Sequence, residues 1–231
     1  MREQNWKNLD SQKIQEYMSY YNSYYGADFQ PGQGLDEITD MISRYSLHGT
    51  WVDLGGGTST FIWLPAFEKI TEAHSIDKYA ESSYVHEYVR RLSPSGCYSH
   101  ILNRYGRSIC EMKRIPITYS QLDLLSDFAA DEKYDNVSQF GLLGLCRSKQ
   151  EYIKRLGMLS RFMGNRSIFF GSNWVFSMEY AKAKGFSNSY LDTVLIDEYI
   201  LAAKKTLLYS ARIPIINDPS YDAVLIYAFT A

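Results

Sequence analysis

The feature that most constrains this chain is an apolar run that ends in an acid and three glycines, Trp-Val-Asp-Leu-Gly-Gly-Gly at residues 51–57. The pattern is typical of a buried strand that turns tightly into a helix, and glycine lets backbone N–H groups approach a ligand because it has no Cβ. A second apolar stretch, about twenty residues further on, ends in Asp77, whose carboxylate can accept hydrogen bonds from a ribose diol. Together the two segments predict a nucleoside-bearing cofactor at the carboxyl ends of parallel strands.

The residues around the glycines favour one cofactor over others. A dinucleotide fingerprint has a third glycine where this chain has Thr60, and a P-loop has a lysine that is absent here. Asp53, two residues before the first glycine, would repel a pyrophosphate but suits a ligand that carries an ammonium and a sulfonium. S-adenosylmethionine has both groups, so the turn predicts this cofactor.

Length and charge set the class of protein. A chain of 231 residues fits one domain, predicted over 1–231, with a helical lid at 1–48 and a cofactor-binding core with substrate loops at 49–231. The net charge of −2 and the absence of a basic run argue against nucleic acid as a partner. The longest apolar runs are too short to span a bilayer, so no membrane partner is expected. The amino-terminal residues show no apolar signal core, which makes a cytoplasmic location the expectation.

The cysteines and histidines predict neither a disulfide framework nor a metal site. The three cysteines are widely spaced, and the four histidines are scattered without ligand pairs. We therefore expect a small-molecule partner and no metal, while the sequence leaves the oligomeric state open.

The order of elements predicts the architecture. Helices are expected at 11–25, 34–47, 80–92, 149–163 and 189–204 and around Pro65, and strands at 50–54, 72–76, 115–122, 134–140, 166–170, 205–213 and 221–229. Residues 93–106 form a turn-rich segment with no predicted structure. Strand–helix alternation followed by a hairpin indicates an α/β fold: a Rossmann-like, mostly parallel seven-stranded sheet with a C-terminal antiparallel hairpin and N-terminal lid helices.

Four segments carry a resemblance to a known family. They are Ser-Tyr-Tyr-Asn-Ser-Tyr-Tyr at 19–25, the glycine turn at 52–57, Ile76-Asp77, and Leu-Asp-Leu at 122–124. With the terminal hairpin they resemble the class I S-adenosylmethionine-dependent methyltransferases, and more narrowly the N-methyltransferases that act on nicotinamide, phenylethanolamine and indolethylamine. The resemblance spans nearly the whole chain, except for residues 93–114.

The resemblance implies the site. The residues expected to bind the cofactor are Tyr20, Tyr25, Asp53, Gly55, Gly56, Gly57, Thr58, Asp77, Lys78, Asp123, Leu124 and Gln139. Those expected to contact the acceptor are Tyr24, Phe140, Asn173, Trp174 and Tyr180. Tyrosine faces attract a sulfonium cation, although the same tyrosines would also suit the apolar face of an ordinary helix. Asp77 and Asp123 have a second interpretation as helix caps.

The chain departs from the family at the acceptor. Family members place carboxylates after strands four and five, whereas residues 138–143 and 170–174 contain none. We therefore expect transfer of a methyl group to a nitrogen of a flat heteroaromatic or amino-acid-like molecule. Three alternatives stay open: a small-molecule O-methyltransferase, a non-catalytic partner subunit with a methyltransferase fold, and a nicotinamide-cofactor reductase. No catalytic residue or general base stands out from the sequence.

Overall fold

The computed structural model describes residues 9–58, 60–91 and 95–231, and within them the chain forms one seven-stranded sheet. The strands are β1 (Gly49–Leu54), β2 (Ile70–Asp77), β3 (Ile117–Gln121), β4 (Tyr134–Phe140), β5 (Met163–Phe176), β6 (Thr206–Pro214) and β7 (Tyr221–Thr230). Their order is β3-β2-β1-β4-β5-β7-β6. Strands β1 to β5 are parallel, and β7 lies antiparallel to both β5 and β6. The predicted fold class is confirmed.

Helices cover both faces of the sheet. They are α1 (Ser11–Tyr24), α2 (Leu35–Tyr45), α3 (Ser82–Arg91), α4 (Gly96–Arg104), α5 (Ile109–Arg114), α6 (Lys149–Leu159), α7 (Met178–Lys184) and α8 (Thr193–Ala203). In the part of the chain that the structure describes, none of these helices combines the length and the apolar character needed to cross a membrane. The first eight residues of the predicted lid, Ser59 of the glycine turn and the end of the predicted helix at 92 lie outside the described residues.

Alternation along the strands divides the core into two layers. Trp51 of β1 and Phe170 of β5 face the layer formed by α1 to α5, and their rings stack 5.4 Å apart. Their neighbours Val52 and Phe169 face the other layer, with α6 and α8. Because successive side chains of a strand point to opposite faces, this register decides which residues at the strand ends can reach a common site.

Some boundaries differ from the predicted ones. The helix expected around Pro65 is a 3₁₀ helix, Thr60–Lys69, in agreement with the missing N–H of an internal proline. Residues 93–106, which had no predicted structure, include α4, and α5 follows it. Strand β5 runs on to Phe176 rather than ending at Phe170, and α6 ends at Leu159, four residues earlier than expected.

The contact between β5 and β7 gives a test of the fold. Gly171 lies opposite Tyr227, and a Cβ added there would meet the Tyr227 ring at 2.1 Å. Tyr227 is fully buried, so the ring has no room to move. We expect Gly171→Ala to lower the free energy of unfolding by roughly 1–3 kcal/mol, the usual cost of overpacking. Urea unfolding followed by circular dichroism measures it.

Gly157→Ala is the matched control. Gly157 lies within α6, where an added Cβ meets nothing within 4 Å. Since alanine favours a helix more than glycine does, this variant should be unchanged or more stable by up to about 1 kcal/mol. Equal stability of the two alanine variants would contradict the packing described here.

Candidate functional site

A cavity of about 430 Å³ opens at the carboxyl ends of the parallel strands, beneath α1. Twelve of the predicted site residues line it: Tyr20, Tyr24, Tyr25, Gly55, Thr58, Asp77, Lys78, Asp123, Leu124, Phe140, Trp174 and Tyr180. One end of the cavity is formed by the glycine turn and the ends of β2 and β3, and the other by the tyrosines of α1 and the segment after β5. The structure thus brings most of the predicted cofactor and acceptor residues to a single cavity.

Asp77, at the end of β2, is held by three hydrogen-bond donors. Its Oδ2 accepts the Gly57 N–H at 2.9 Å, and its Oδ1 accepts the Tyr79 N–H at 3.0 Å and the Tyr17 hydroxyl at 2.7 Å. Burial raises the pKa of this carboxyl, and the donors oppose that rise because each favours the charged form. Asp77 therefore connects the glycine turn, the end of β2 and α1.

The glycine turn depends on backbone conformations that other residues rarely adopt. Gly55 has a φ of +71°, and a Cβ there would lie 2.9 Å from Leu142. Its N–H donates to the Ile76 carbonyl at 2.7 Å, which fixes the turn against the end of β2. Gly57 has a φ of +48°, the conformation that turns its N–H to Asp77.

Two buried side chains hold the carbonyl groups of the same turn. His86 of α3 places Nε2 2.7 Å from the Gly57 carbonyl, and the Tyr98 hydroxyl of α4 donates to the Thr58 carbonyl. Burial lowers the pKa of His86 to about 4, so near neutral pH the ring is uncharged and Nε2–H is the donor. These two hydrogen bonds fix the orientation of the peptide groups that contain the Gly57 and Thr58 carbonyls.

Lys78 and Asp123 form an ion pair of 2.9 Å at the rim of this end of the cavity. The hydrogen bond from Lys78 lowers the pKa of Asp123, whose Oδ1 also accepts the Leu125 N–H. Asp123 begins a turn rather than a helix, since the following residues are not helical. Leu124, which is buried, lies next to it on the cavity wall.

Asp53 lies beneath the cavity and is not part of its lining. It is 2% exposed, and its Oδ1 accepts the Ser138 hydroxyl at 2.6 Å. Ser138 in turn accepts the indole N–H of Trp51 at 2.9 Å. Gly56 and Gly57 do not line the cavity either, although Gly57 contacts Asp77.

Gln139 and Asn173 do not line the cavity, because they lie on the opposite face of the sheet from Phe140 and Trp174. Both are fully buried, and the Gln139 amide donates to the Asn173 Oδ1 at 3.0 Å. The hydroxyl of Tyr152 donates to the same Oδ1 at 2.8 Å. Their polar groups are satisfied inside the second core layer, where they hold β4 and β5 together.

Several residues on the cavity wall were not predicted from the sequence, chiefly Tyr17, Lys184, Asp218 and Tyr221. Tyr17 had a signal, since it lies three residues before Tyr20 and so on the same side of a helix. From the sequence alone, Asp218 is recognisable only as a residue of the turn between β6 and β7. It supplies a carboxylate to the acceptor end of the cavity, where residues 138–143 and 170–174 contain none.

The sequence matches no protein-family model and none of the curated proteins compared with it. Its fold is shared with solved structures. The N-methyltransferase NodS of Bradyrhizobium japonicum WM9, in complex with S-adenosyl-L-homocysteine, is similar with a TM-score of 0.59 at 10% identity, over 95% of this chain and 96% of that one. An S-adenosylmethionine-dependent methyltransferase of Clostridium acetobutylicum ATCC 824 has a TM-score of 0.54 at 10% identity, over 94% and 98%.

A third similar structure is the [4+2]-cyclase SpnF, with a TM-score of 0.56 at 11% identity, over 94% of this chain and 92% of that one. At such identities the likeness shows a common fold, a Rossmann-like one found in methyltransferases and in this cyclase. The activity of the present chain has to be argued from its own site.

The buried imidazole gives a pH-dependent prediction. Since the pKa of His86 falls from 6.5 to about 4 on folding, the unfolded chain binds more protons between these values. Stability should therefore fall as the pH drops from 6.5 to 4, by an amount on the order of 3 kcal/mol from this residue. His86→Gln keeps an amide donor for the Gly57 carbonyl but has no titrating ring, so it should not show the part of the stability loss that comes from His86. Urea unfolding at a series of pH values measures it.

His48→Gln is the control, because His48 is exposed. It should retain the pH dependence of the wild type. The account of His86 would be wrong if His86→Gln lost as much stability on acidification as the wild type does.

Proposed function

We propose that this protein transfers a methyl group from S-adenosylmethionine to a nitrogen of a small, flat acceptor. The observation that carries the proposal is the continuity of the cavity, which the glycine turn and the ends of β2 and β3 line at one end and Tyr20, Tyr24 and Tyr221 at the other. A methyl donor and its acceptor need such adjoining positions, because the transfer is a direct displacement between them.

The residues at the glycine end suit the adenosyl part of the donor. Asp77 is the acceptor for the ribose hydroxyls, and Lys78, Tyr79 and Leu124 surround the space where the adenine would lie. The backbone at Gly55 approaches the cavity without a Cβ, leaving room for the methionine part. Asp53, under the turn, contributes negative charge beneath a cationic ligand.

The Tyr17 hydroxyl occupies part of the position that the ribose would take. It donates to Asp77 Oδ1 at 2.7 Å, and Asp77 already accepts two backbone N–H groups. A carboxylate offers about four lone-pair positions, so a ribose diol that binds both oxygens competes with Tyr17. Binding of the donor then shifts Tyr17 and, with it, the start of α1.

The acceptor end favours a flat molecule. Phe140, Trp174, Tyr24 and Tyr180 line this part of the cavity and give it flat aromatic surfaces. The donor, when bound, supplies a methyl group already activated by the sulfonium. The acceptor lone pair forms a bond to the methyl carbon while the carbon–sulfur bond breaks, the electron pair stays on sulfur, and a proton of the acceptor nitrogen leaves to solvent. The protein aligns the two and keeps water away.

Calorimetry with S-adenosylhomocysteine tests the cofactor assignment. The wild type should bind it, and Asp77→Asn should bind it more weakly by roughly 1–3 kcal/mol, the cost of losing hydrogen bonds to a buried charged group. Asp131→Asn is the control, since Asp131 is exposed and precedes β4, at the opposite edge of the sheet. Absence of binding to the folded wild type would refute the proposal.

Tyr17→Phe tests the competition at Asp77. Without the hydroxyl, the ribose no longer has to displace a donor, so this variant should bind S-adenosylhomocysteine more tightly than the wild type. Its melting temperature should fall modestly, because a hydrogen bond between α1 and β2 is lost. Weaker binding by a folded Tyr17→Phe would show that Tyr17 supports the cofactor rather than competing with it.

A further inference from the structure

The acceptor end of the cavity has an outer chamber formed by four tyrosines, Tyr20, Tyr24, Tyr180 and Tyr221. The rings of Tyr20 and Tyr24 lie 4.5 Å apart on α1, and those of Tyr180 and Tyr221 lie 5.5 Å apart on the facing side. Desolvation raises the pKa of Tyr20 to about 12 although 46% of its surface is exposed, and an interaction with Tyr221 offsets part of that rise. Tyr20 of α1 and Tyr221 of β7 are therefore within reach of each other across the chamber.

Two side chains of opposite charge line this chamber, Lys184 at the end of α7 and Asp218 in the turn between β6 and β7. The Lys184 ammonium lies 5.1 Å from the centroid of the Tyr180 ring. Asp218 accepts the Ser220 N–H at 2.8 Å through Oδ1. Burial is the main cause of the raised pKa of Tyr24, to which Asp218 adds while Lys184 opposes it. Both charges therefore act on the same hydroxyl.

Neither charge is neutralised by an ion pair with another described residue. In residues 9–58, 60–91 and 95–231, no ion pair includes Lys184 or Asp218, and the two do not pair with each other. A ligand that fills the chamber removes water from both groups, and an unpaired charge that loses its water is costly. A matching ligand avoids this cost by offering one group of each sign.

We infer that the acceptor is a zwitterion of the amino-acid type, with an ammonium bound by Asp218, a carboxylate bound by Lys184 and a flat side chain that points toward Phe140. This inference rests on the proposed function and names its substrate class. The tyrosine faces add attraction for the ammonium, and their hydroxyls donate to the carboxylate.

The charged groups also fix which atom of the acceptor reacts. Lys184 is exposed and Asp218 half-buried, whereas Phe140, beside the glycine end, is 4% exposed. A ligand held by its two charges at the outer chamber presents its ring to the inner part of the cavity. The methyl group is then transferred to the ring, and the α-amino group stays unmodified.

Three simpler acceptor classes fit less well. A cationic amine leaves Lys184 without a partner, a carboxylic acid leaves Asp218 without one, and a neutral ring leaves both. Each of these three ligands therefore covers at least one charged side chain without offering it an opposite charge, whereas the zwitterion pairs with both.

A competition among related acceptors tests the inference. The wild type, with S-adenosylmethionine, is given histidine and tryptophan together with the amine and the carboxylic acid derived from each, and the products are analysed by mass spectrometry. We expect ring-methylated amino acids at least tenfold above the matching amines and acids. Products from the amines or acids at equal or higher yield would overturn the inference, and so would methylation of the α-amino group.

Two variants then separate the roles of the charges. With the amino acid that is methylated best, Lys184→Gln and Asp218→Asn should each raise KM about tenfold or more. Lys184→Gln should lower the KM of the matching amine, because it removes the charge that the amine leaves unpaired, and Asp218→Asn should lower that of the matching acid for the same reason. Lys182→Gln in the same helix and Asp222→Asn at the start of β7 are controls, because neither residue lines the cavity. If all four variants behave alike, the inference fails.

Binding of S-adenosylhomocysteine distinguishes this failure from that of the proposed function. If the wild type binds it but methylates none of the six compounds, the zwitterion inference is overturned and the cofactor site stands. If it does not bind, the proposed function itself fails.

Discussion

The structure of the site depends on the Asp77 carboxylate, which is buried at the end of β2 and held by Gly57, Tyr79 and Tyr17. A buried charge must be matched by donors, and here the donors come from three parts of the chain: the glycine turn, the loop after β2 and α1. Their shared acceptor fixes the turn relative to the strand and ties α1 over the cavity. In the proposed function, a ribose competes for the same carboxylate, so the hydrogen bond that ties α1 to Asp77 is also the one that the cofactor replaces.

The tyrosines of α1 have divided roles along the helix. Tyr21 is buried in the core layer under the helix, whereas Tyr20 and Tyr24 line the cavity, and Tyr17 reaches Asp77. The unusual tyrosine content of this segment thus combines packing with a polar lining, since a phenol ring fills space and its hydroxyl still finds a partner. The sequence left open whether Tyr20, Tyr24 and Tyr25 form a core face or a binding face; all three line the cavity, and Tyr25 is also buried.

Much of the fold could be predicted from the sequence, because strong local signals coincide with it. Alternating or apolar runs predict all seven strands, and the glycines and acids after β1 and β2 predict the position of the cavity. Residues 93–114 were harder, although Ser108 and Glu111 form a capping box at the start of α5, a pattern that can be read from sequence. The helix predicted around Pro65 is present as a 3₁₀ helix, which accommodates the proline.

The acceptor side was predicted less well, for a physical reason. The end of β5 was expected at Phe170 because polar residues follow, yet Ser172 and Asn173 are buried in the sheet, where Asn173 is hydrogen-bonded. Because β5 continues through these residues, its alternation places Trp174 at the cavity and Asn173 on the opposite face of the sheet. The two neighbours were predicted to line the same site, and the strand keeps them apart. Asp218 reaches the cavity only through the pairing of β6 with β7, which a local pattern does not reveal.

The central claim is that Asp77 exchanges the Tyr17 hydroxyl for a ribose. A crystal structure of the complex with S-adenosylhomocysteine tests it most directly. It should show ribose hydroxyls within hydrogen-bond distance of the Asp77 carboxylate and the Tyr17 hydroxyl moved away from Oδ1. An adenosyl group bound elsewhere, with the bond between Tyr17 and Asp77 intact, would contradict the account.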